Sequence, residues 1–175
     1  ADNPFVKNPK AKPEIWSYGH RSVQGAAIHP QTGALWIHEH GPRGGDEINI
    51  PQAGKNYGWP KASYGSHYSG IPIKDEHAEQ GFAEPIYFWT PSIAPSGMMF
   101  YTGDQFPTWR GNLFIGALAG QHVVRLSADD KKILGEEQLV KQMARFRDIE
   151  QGPDGALYLL TDEDNGKLLK ITPKH

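Results

Sequence analysis

Pro30-Gln31-Thr32-Gly33-Ala34-Leu35-Trp36-Ile37 and Pro153-Asp154-Gly155-Ala156-Leu157-Tyr158-Leu159 are one phrase written twice. Each opens on turn formers, places a glycine, and runs into a Leu–aromatic–aliphatic strand. Pro107-Thr108-Trp109-Arg110-Gly111-Asn112-Leu113-Phe114-Ile115 is a third, looser copy. Glycine takes positive φ without steric penalty, so it suits the turn before each strand. Gly111 and Gly155 lie 44 positions apart, the length of one four-stranded propeller blade; Gly33 and Gly111 lie 78 apart, nearly two. The chain is therefore read as all-β, with about three four-stranded blades over residues 15–175. A closed propeller needs at least four.

The rest of the chain agrees. Strand-like runs recur at 26–29, 34–38, 47–50, 85–89, 96–101, 113–118, 122–126, 156–161 and 168–171, each bounded by Gly, Pro or Asp. Residues 1–14 carry Asx and Pro turn signals, three lysines and Phe5, and read as an extended surface segment. The one helical candidate, 130–143, contains Gly135 and has irregular apolar spacing; two strands with a turn fit it better. Gly 20 and Pro 14, with Trp 5, Tyr 7 and Phe 7, give the turn-rich, aromatic-rich composition of many short strands.

Composition excludes several classes. At 175 residues, a compact chain buries about 68–70% of its unfolded surface. Hydrophobic 38% and charged 22% argue against disorder. The longest apolar run, 113–120, is far short of the roughly 20 residues of a spanning helix, so no membrane span is expected. A net charge of −2 argues against nucleic acid as a partner. The absence of Cys removes disulfides, thiolate metal sites and a Cys nucleophile. The start at Ala1-Asp2-Asn3-Pro4, without Met or a signal peptide, points to a processed or partial product.

Chemistry concentrates in 18–60. Gly41, Pro42, Gly44 and Gly45 make a sharp loop after a strand, flanked by Glu39, Asp46 and Glu47. Oxygen-rich loops with carboxylates and bent backbone carbonyls suit calcium; a solvated acidic turn is the alternative, and the spacing is not that of an EF-hand. His38 and His40 form a His-x-His pair that could hold zinc or serve structurally, with no third ligand evident. Arg145 and Arg147 share one side of an extended strand, about 6.6 Å apart. They require an anion between them, or they form surface salt bridges with Asp148 as one partner.

Taken together, Tyr18-Gly-His-Arg21, Glu39-His-Gly-Pro-Arg-Gly-Gly-Asp-Glu-Ile-Asn49, Asn56-Tyr-Gly-Trp-Pro60, Ala94-Pro-Ser-Gly97, Leu113-Phe-Ile-Gly-Ala-Leu118 and Arg145-Phe-Arg-Asp148 resemble the soluble pyrroloquinoline-quinone (PQQ)-dependent glucose/sorbosone, or aldose sugar, dehydrogenases. The resemblance covers nearly all of this chain and the C-terminal half of a family member. It implies half of a six-bladed β-propeller. It implies PQQ and calcium as cofactors, with Arg21, Arg145 and Arg147 contacting the quinone and Arg147 stabilising charge on its oxygen. Gly41 and Pro42 would offer carbonyls to the quinone-chelated calcium, and Glu47 and Tyr57 would serve a second calcium. Trp89 would sit beside substrate and cofactor, or be a blade-core tryptophan. The implied reaction oxidises an aldose at its anomeric carbon to a lactone, in the bacterial periplasm or outside the cell.

Three departures qualify the resemblance. The family's catalytic histidine lies in the other half, and none of His20, His29, His38, His40, His67, His77 or His122 matches it. Ser22 and Val23 stand where the family has Asn and Pro, and Ala119 stands where it has a cofactor-contacting Lys. The expected partners are an aldose and either the N-terminal half of the propeller or a second copy of this chain, because three blades leave two apolar flanks. The competing readings are a non-catalytic, self-pairing propeller half that keeps the calcium loop, and a fragment of a full-length enzyme.

Overall fold

The computed structural model describes residues 2–174, in which the regular elements are eleven β-strands and two short 3-10 turns. The first sheet orders β1 (Val23–Ile28), β2 (Leu35–Glu39), β3 (Asp46–Asn49) and β4 (Tyr87–Trp89). The second orders β5 (Pro95–Phe100), β6 (Leu113–Ala117), β7 (His122–Ala128) and β8 (Ile133–Leu139). The third has β9 (Phe146–Gln151), β10 (Leu157–Thr161) and β11 (Leu168–Ile171). All neighbours pair antiparallel, as hairpin connections require. These are three propeller blades, the third with three strands among the described residues rather than the expected four.

The repeated glycines sit where the sequence phrase placed them. Gly33, Gly111 and Gly155 have φ of 71°, 80° and 76°, and each lies two residues before the second strand of its blade. The interval from Gly33 to Gly111 is corrected, however. It spans one blade, not nearly two, because residues 50–86 form a long connection between β3 and β4. The stretch 130–143 forms β8 and the turn that leads to β9, so the helix reading is set aside.

Blades stack face to face because β6 is buried on both sides. Leu113 and Ile115 join Trp36, Ile48, Trp89, Val124 and Leu126 between the first and second blades. Phe114, from the opposite face, joins Val123, Phe146, Ile149, Leu157 and Leu159 between the second and third. Each such side chain contributes roughly 1.5–3 kcal/mol by leaving water. Ile28 and Leu35 of the first blade, and Leu160 and Leu168 of the third, stay exposed. Among the described residues no helix is long and apolar enough to cross a membrane.

The innermost strands are in register at their starts. A Cβ on Gly25 would collide with His38 and the Ser96 carbonyl, and one on Gly97 would collide with Asp148. Ser96 Oγ donates to the Phe146 carbonyl at 2.7 Å. The N-terminal ends of β1, β5 and β9 therefore lie side by side. This brings Arg21, Ala94, Arg145 and Arg147 to one end of the stack.

Candidate functional site

The loop between β2 and β3 is held by its flanking carboxylates. Asp46, 1% exposed, accepts from Gly41 N (2.9 Å) and Ser92 Oγ (3.1 Å) on Oδ1, and from Ile93 N and Ala94 N (both 2.8 Å) on Oδ2. It ties the loop to the start of the second blade. Glu39 accepts from His20 Nδ1 (3.0 Å) and Asn49 Nδ2 (3.1 Å) on Oε1, and from the backbone N–H groups of Arg21 and Ser22 on Oε2. Both carboxylates are thus committed to protein donors. Of the three acidic residues around the loop, Glu47 has the environment a cation would answer.

Glu47 is 7% exposed. Burial first, then the Glu39 carboxylate, pushes its pKa up to about 8; the nearby Asn49 side chain and Tyr64 backbone offset only part of this. Asn49 Oδ1 is buried without a partner. Glu47, Glu39, Gly41, Tyr57, Trp59 and Ser63 line a small, partly open space of about 10 Å³, the size of one water or one ion. Tyr57 is fixed there by its hydroxyl, which donates to the Ile50 carbonyl at 2.7 Å, and by its ring, which stacks on His20. The loop is tight: a Cβ on Gly41 would overlap the carbonyls of Gly44 and Gly45. No described donor reaches the carbonyls of Gly41 or Pro42. An under-satisfied buried carboxylate with free carbonyl oxygens is a hard-cation donor set.

The arginines bring positive charge to the same end. Arg145 Nε and Nη2 grip Asp162 Oδ2 at 3.1 and 3.0 Å, and Arg147 Nε and Nη2 grip Asp162 Oδ1 at 3.1 and 3.0 Å. The anion that two converging guanidiniums require is therefore Asp162, not Asp148. Asp148 instead caps the backbone N–H of Ile149 at 3.0 Å and packs against Gly97. Both arginines are about half exposed, with their Nη1 donors outside these bonds. Arg21 donates Nη1 to the His40 carbonyl (3.0 Å) and Nη2 to the Tyr68 hydroxyl (3.1 Å), and lies over the Trp59 ring at 5.2 Å. Its Nε is buried without a partner. Three guanidiniums at one end of the stack, each with donors to spare, fit a ligand with several carboxylates.

Other expectations resolve differently. His38 Nε2 contacts the Ser96 carbonyl at 2.5 Å and His40 Nε2 the Pro95 carbonyl at 2.8 Å, so the pair clamps blade to blade. Both Nε2 atoms face carbonyl oxygens, and among the described residues no group of three His, Cys, Asp or Glu side chains is placed to hold a metal. Trp89 is 7% exposed in the core between blades, and its Nε1 donates to Glu136 at 2.8 Å; of its two roles, the core role matches these surroundings. Ser22 accepts from Gln24 at 2.9 Å. Ala119 lies exposed in the β6–β7 turn, which hydrogen-bonds to Ile93 and Ala94 and so sits at the same end as the arginines. The sequence reading missed Asp162, Trp59 and Tyr68. Only the Phe146–Thr161 pairing, which sets Asp162 beside Arg145, could have flagged the first.

Comparison with known proteins agrees with the propeller fold. The family profile described as "Glucose / Sorbosone dehydrogenase" matches residues 1–170. Aldose sugar dehydrogenase YliI of Escherichia coli is 50% identical over 99% of this chain and 48% of its own length. A crystal structure of a glucose dehydrogenase superposes with a TM-score of 0.94 at 52% identity, over 99% of this chain and 51% of that one. The PQQ-bound aldose sugar dehydrogenase of Streptomyces coelicolor superposes at 0.69 with 25% identity, over 96% and 48%. The chain spans about half the length of the relatives it matches.

Proposed function

The chain belongs to the glucose/sorbosone dehydrogenase family, and from that premise we propose that it forms the cation- and carboxylate-holding half of a PQQ- and calcium-dependent aldose dehydrogenase that oxidises its sugar at the anomeric carbon to a lactone. The observation that carries this reading is buried Glu47, raised toward neutrality in an ion-sized space, at a loop beside Arg21. Glu47 and the Tyr57 backbone would hold one calcium, and the Gly41 and Pro42 carbonyls another against the quinone. When bound, the quinone supplies the two-electron acceptor. Arg21, Arg145 and Arg147 hold its carboxylates, and Arg147 keeps positive charge where the bound group becomes more negative. His29, His38, His40, His77 and His122 each have one ring nitrogen bonded within the protein and His20 has both, and none of them is assigned as the proton acceptor. That group, and the two apolar flanks, call for the other half of the propeller or a second copy, in the periplasm or outside the cell.

A second reading has one observation in its favour. The Arg145–Arg147 fork is already filled by Asp162, and Ala119 adds no cation beside it. This describes a non-catalytic half that keeps the calcium site. Titration of the calcium-loaded chain with PQQ, followed by absorbance and then by addition of aldoses, separates the two. Quinone binding supports the dehydrogenase half, and bleaching on sugar addition supports a complete site. Calcium binding without quinone binding overturns the first reading in favour of the second.

A further inference from the structure

We propose that Tyr68 is a ligand-contacting residue, one that donates its phenol hydrogen to the same carboxylate that Arg21 binds. This rests on the reading of Arg21 as a quinone contact. Tyr68 belongs to a small hairpin in the long β3–β4 connection, closed by His67 N to the Ile71 carbonyl (2.8 Å) and by the Ser66–Pro72 bridge. The hairpin is anchored beside the cation loop, because Ser66 N donates to the Arg43 carbonyl at 3.0 Å. Its tip is uncovered: Tyr68 is 75% exposed and Ile71 64%. An aromatic ring so exposed gains little from burial, and its recorded bond is the one from Arg21 Nη2 at 3.1 Å.

Donor and acceptor counting gives that bond a direction. A guanidinium only donates, so the Tyr68 oxygen accepts and its own hydrogen is left to give. Trp59 beneath the guanidinium and the His40 carbonyl at Nη1 fix the plane of Arg21. A carboxylate arriving at the open side therefore meets a second Nη2 hydrogen and the Tyr68 O–H together, one for each oxygen. Arg43, whose Nη1 lies over Gly70 of the same hairpin, adds positive potential nearby.

The test is a double-mutant cycle on quinone affinity. Calcium-loaded native chain, Tyr68→Phe, Arg21→Lys and the double variant are titrated with PQQ by absorbance, with calcium affinity and thermal unfolding measured alongside. Phe keeps the ring, so unfolding and calcium affinity should not move. Losing one charge-assisted hydrogen bond should weaken quinone binding about tenfold in the native background. In the Arg21→Lys background, where the fork is gone, the loss should fall below about threefold. Unchanged affinity in Tyr68→Phe, or an equal loss in both backgrounds, overturns the proposal and leaves the reading of Arg21 standing. A rise in sugar KM with quinone affinity unchanged would also overturn it, making Tyr68 a sugar contact. If the native chain binds no PQQ, the reading falls, and the proposal falls with it.

Discussion

His38 Nε2 lies 2.5 Å from the carbonyl oxygen of Ser96, so the second strand of one blade is locked to the first strand of the next. The ring is fully buried, and Nδ1 has no partner. Burial, the dominant cause, holds the His38 pKa down at about 4 against an ordinary 6.5. The unfolded chain therefore binds a proton that the folded chain refuses. The contribution is whole above pH 6.5 and is lost as pH falls toward 4. At pH 5 the cost is about 2 kcal/mol relative to pH 8. Urea unfolding at both pH values should show His38→Gln to be less acid-sensitive than the native chain by about that amount. Equal acid sensitivity in both would refute the assignment.

Glu47 has the opposite sign. Its folded pKa of about 8 lies above the ordinary 4.5, so its stabilising proton is present below 4.5 and is lost as pH rises through 8. Without metal, this carboxylate makes folding less favourable at pH 7 than at pH 4 by about 3 kcal/mol. A cation beside Glu47 replaces the proton and removes the penalty. Calcium should raise the melting temperature more at pH 8 than at pH 5. Glu47→Gln should flatten both the pH dependence and the calcium response. A calcium shift that survives in Glu47→Gln would place the ion elsewhere.

Arg147 tests the anionic side. Its ion pair with Asp162 is about half exposed and screened, so Arg147→Ala should cost less than about 1 kcal/mol of stability. If the guanidinium holds a quinone carboxylate, the same change should weaken PQQ binding more than tenfold. The two effects separate in one preparation, by urea unfolding and by absorbance titration. Unchanged quinone affinity would restrict Arg147 to its pairing with Asp162.

Local chemistry made the blades legible. The Gly-x-Leu-aromatic phrase records a turn needing positive φ followed by a strand that carries core side chains, and Gly33, Gly111 and Gly155 obey it. What the phrase could not reveal was the 50–86 connection, because its turns follow no repeat. The arginines were legible as an electrostatic problem: two guanidiniums on one side of a strand need an anion. That the anion is Asp162 depends on hairpin register, where Thr161 faces Phe146, and a sequence does not display register. The split among Glu39, Asp46 and Glu47 was equally hidden. Their spacing is the same whether a carboxylate meets four donors or is left wanting a cation.

The repeat glycines give the last prediction. Gly33 has no atom within 4 Å of a would-be Cβ, and around Gly111 the nearest is the Gln31 side chain at 3.5 Å, so Ala fits by volume at both. What opposes it is φ of 71° and 80°, where an L side chain meets its own backbone. Ala at either position should therefore cost about 1–2 kcal/mol with no cavity or clash involved. Asn, which tolerates left-handed backbone better, should recover a good part of that loss. Gly41 is the contrast, with ordinary φ but carbonyls where its Cβ would go, so Asn should rescue nothing there. Urea unfolding of the Ala and Asn variants at the three positions decides between conformation and crowding. An Asn that is no better than Ala at Gly33 and Gly111 would refute the turn argument on which the blade assignment was built.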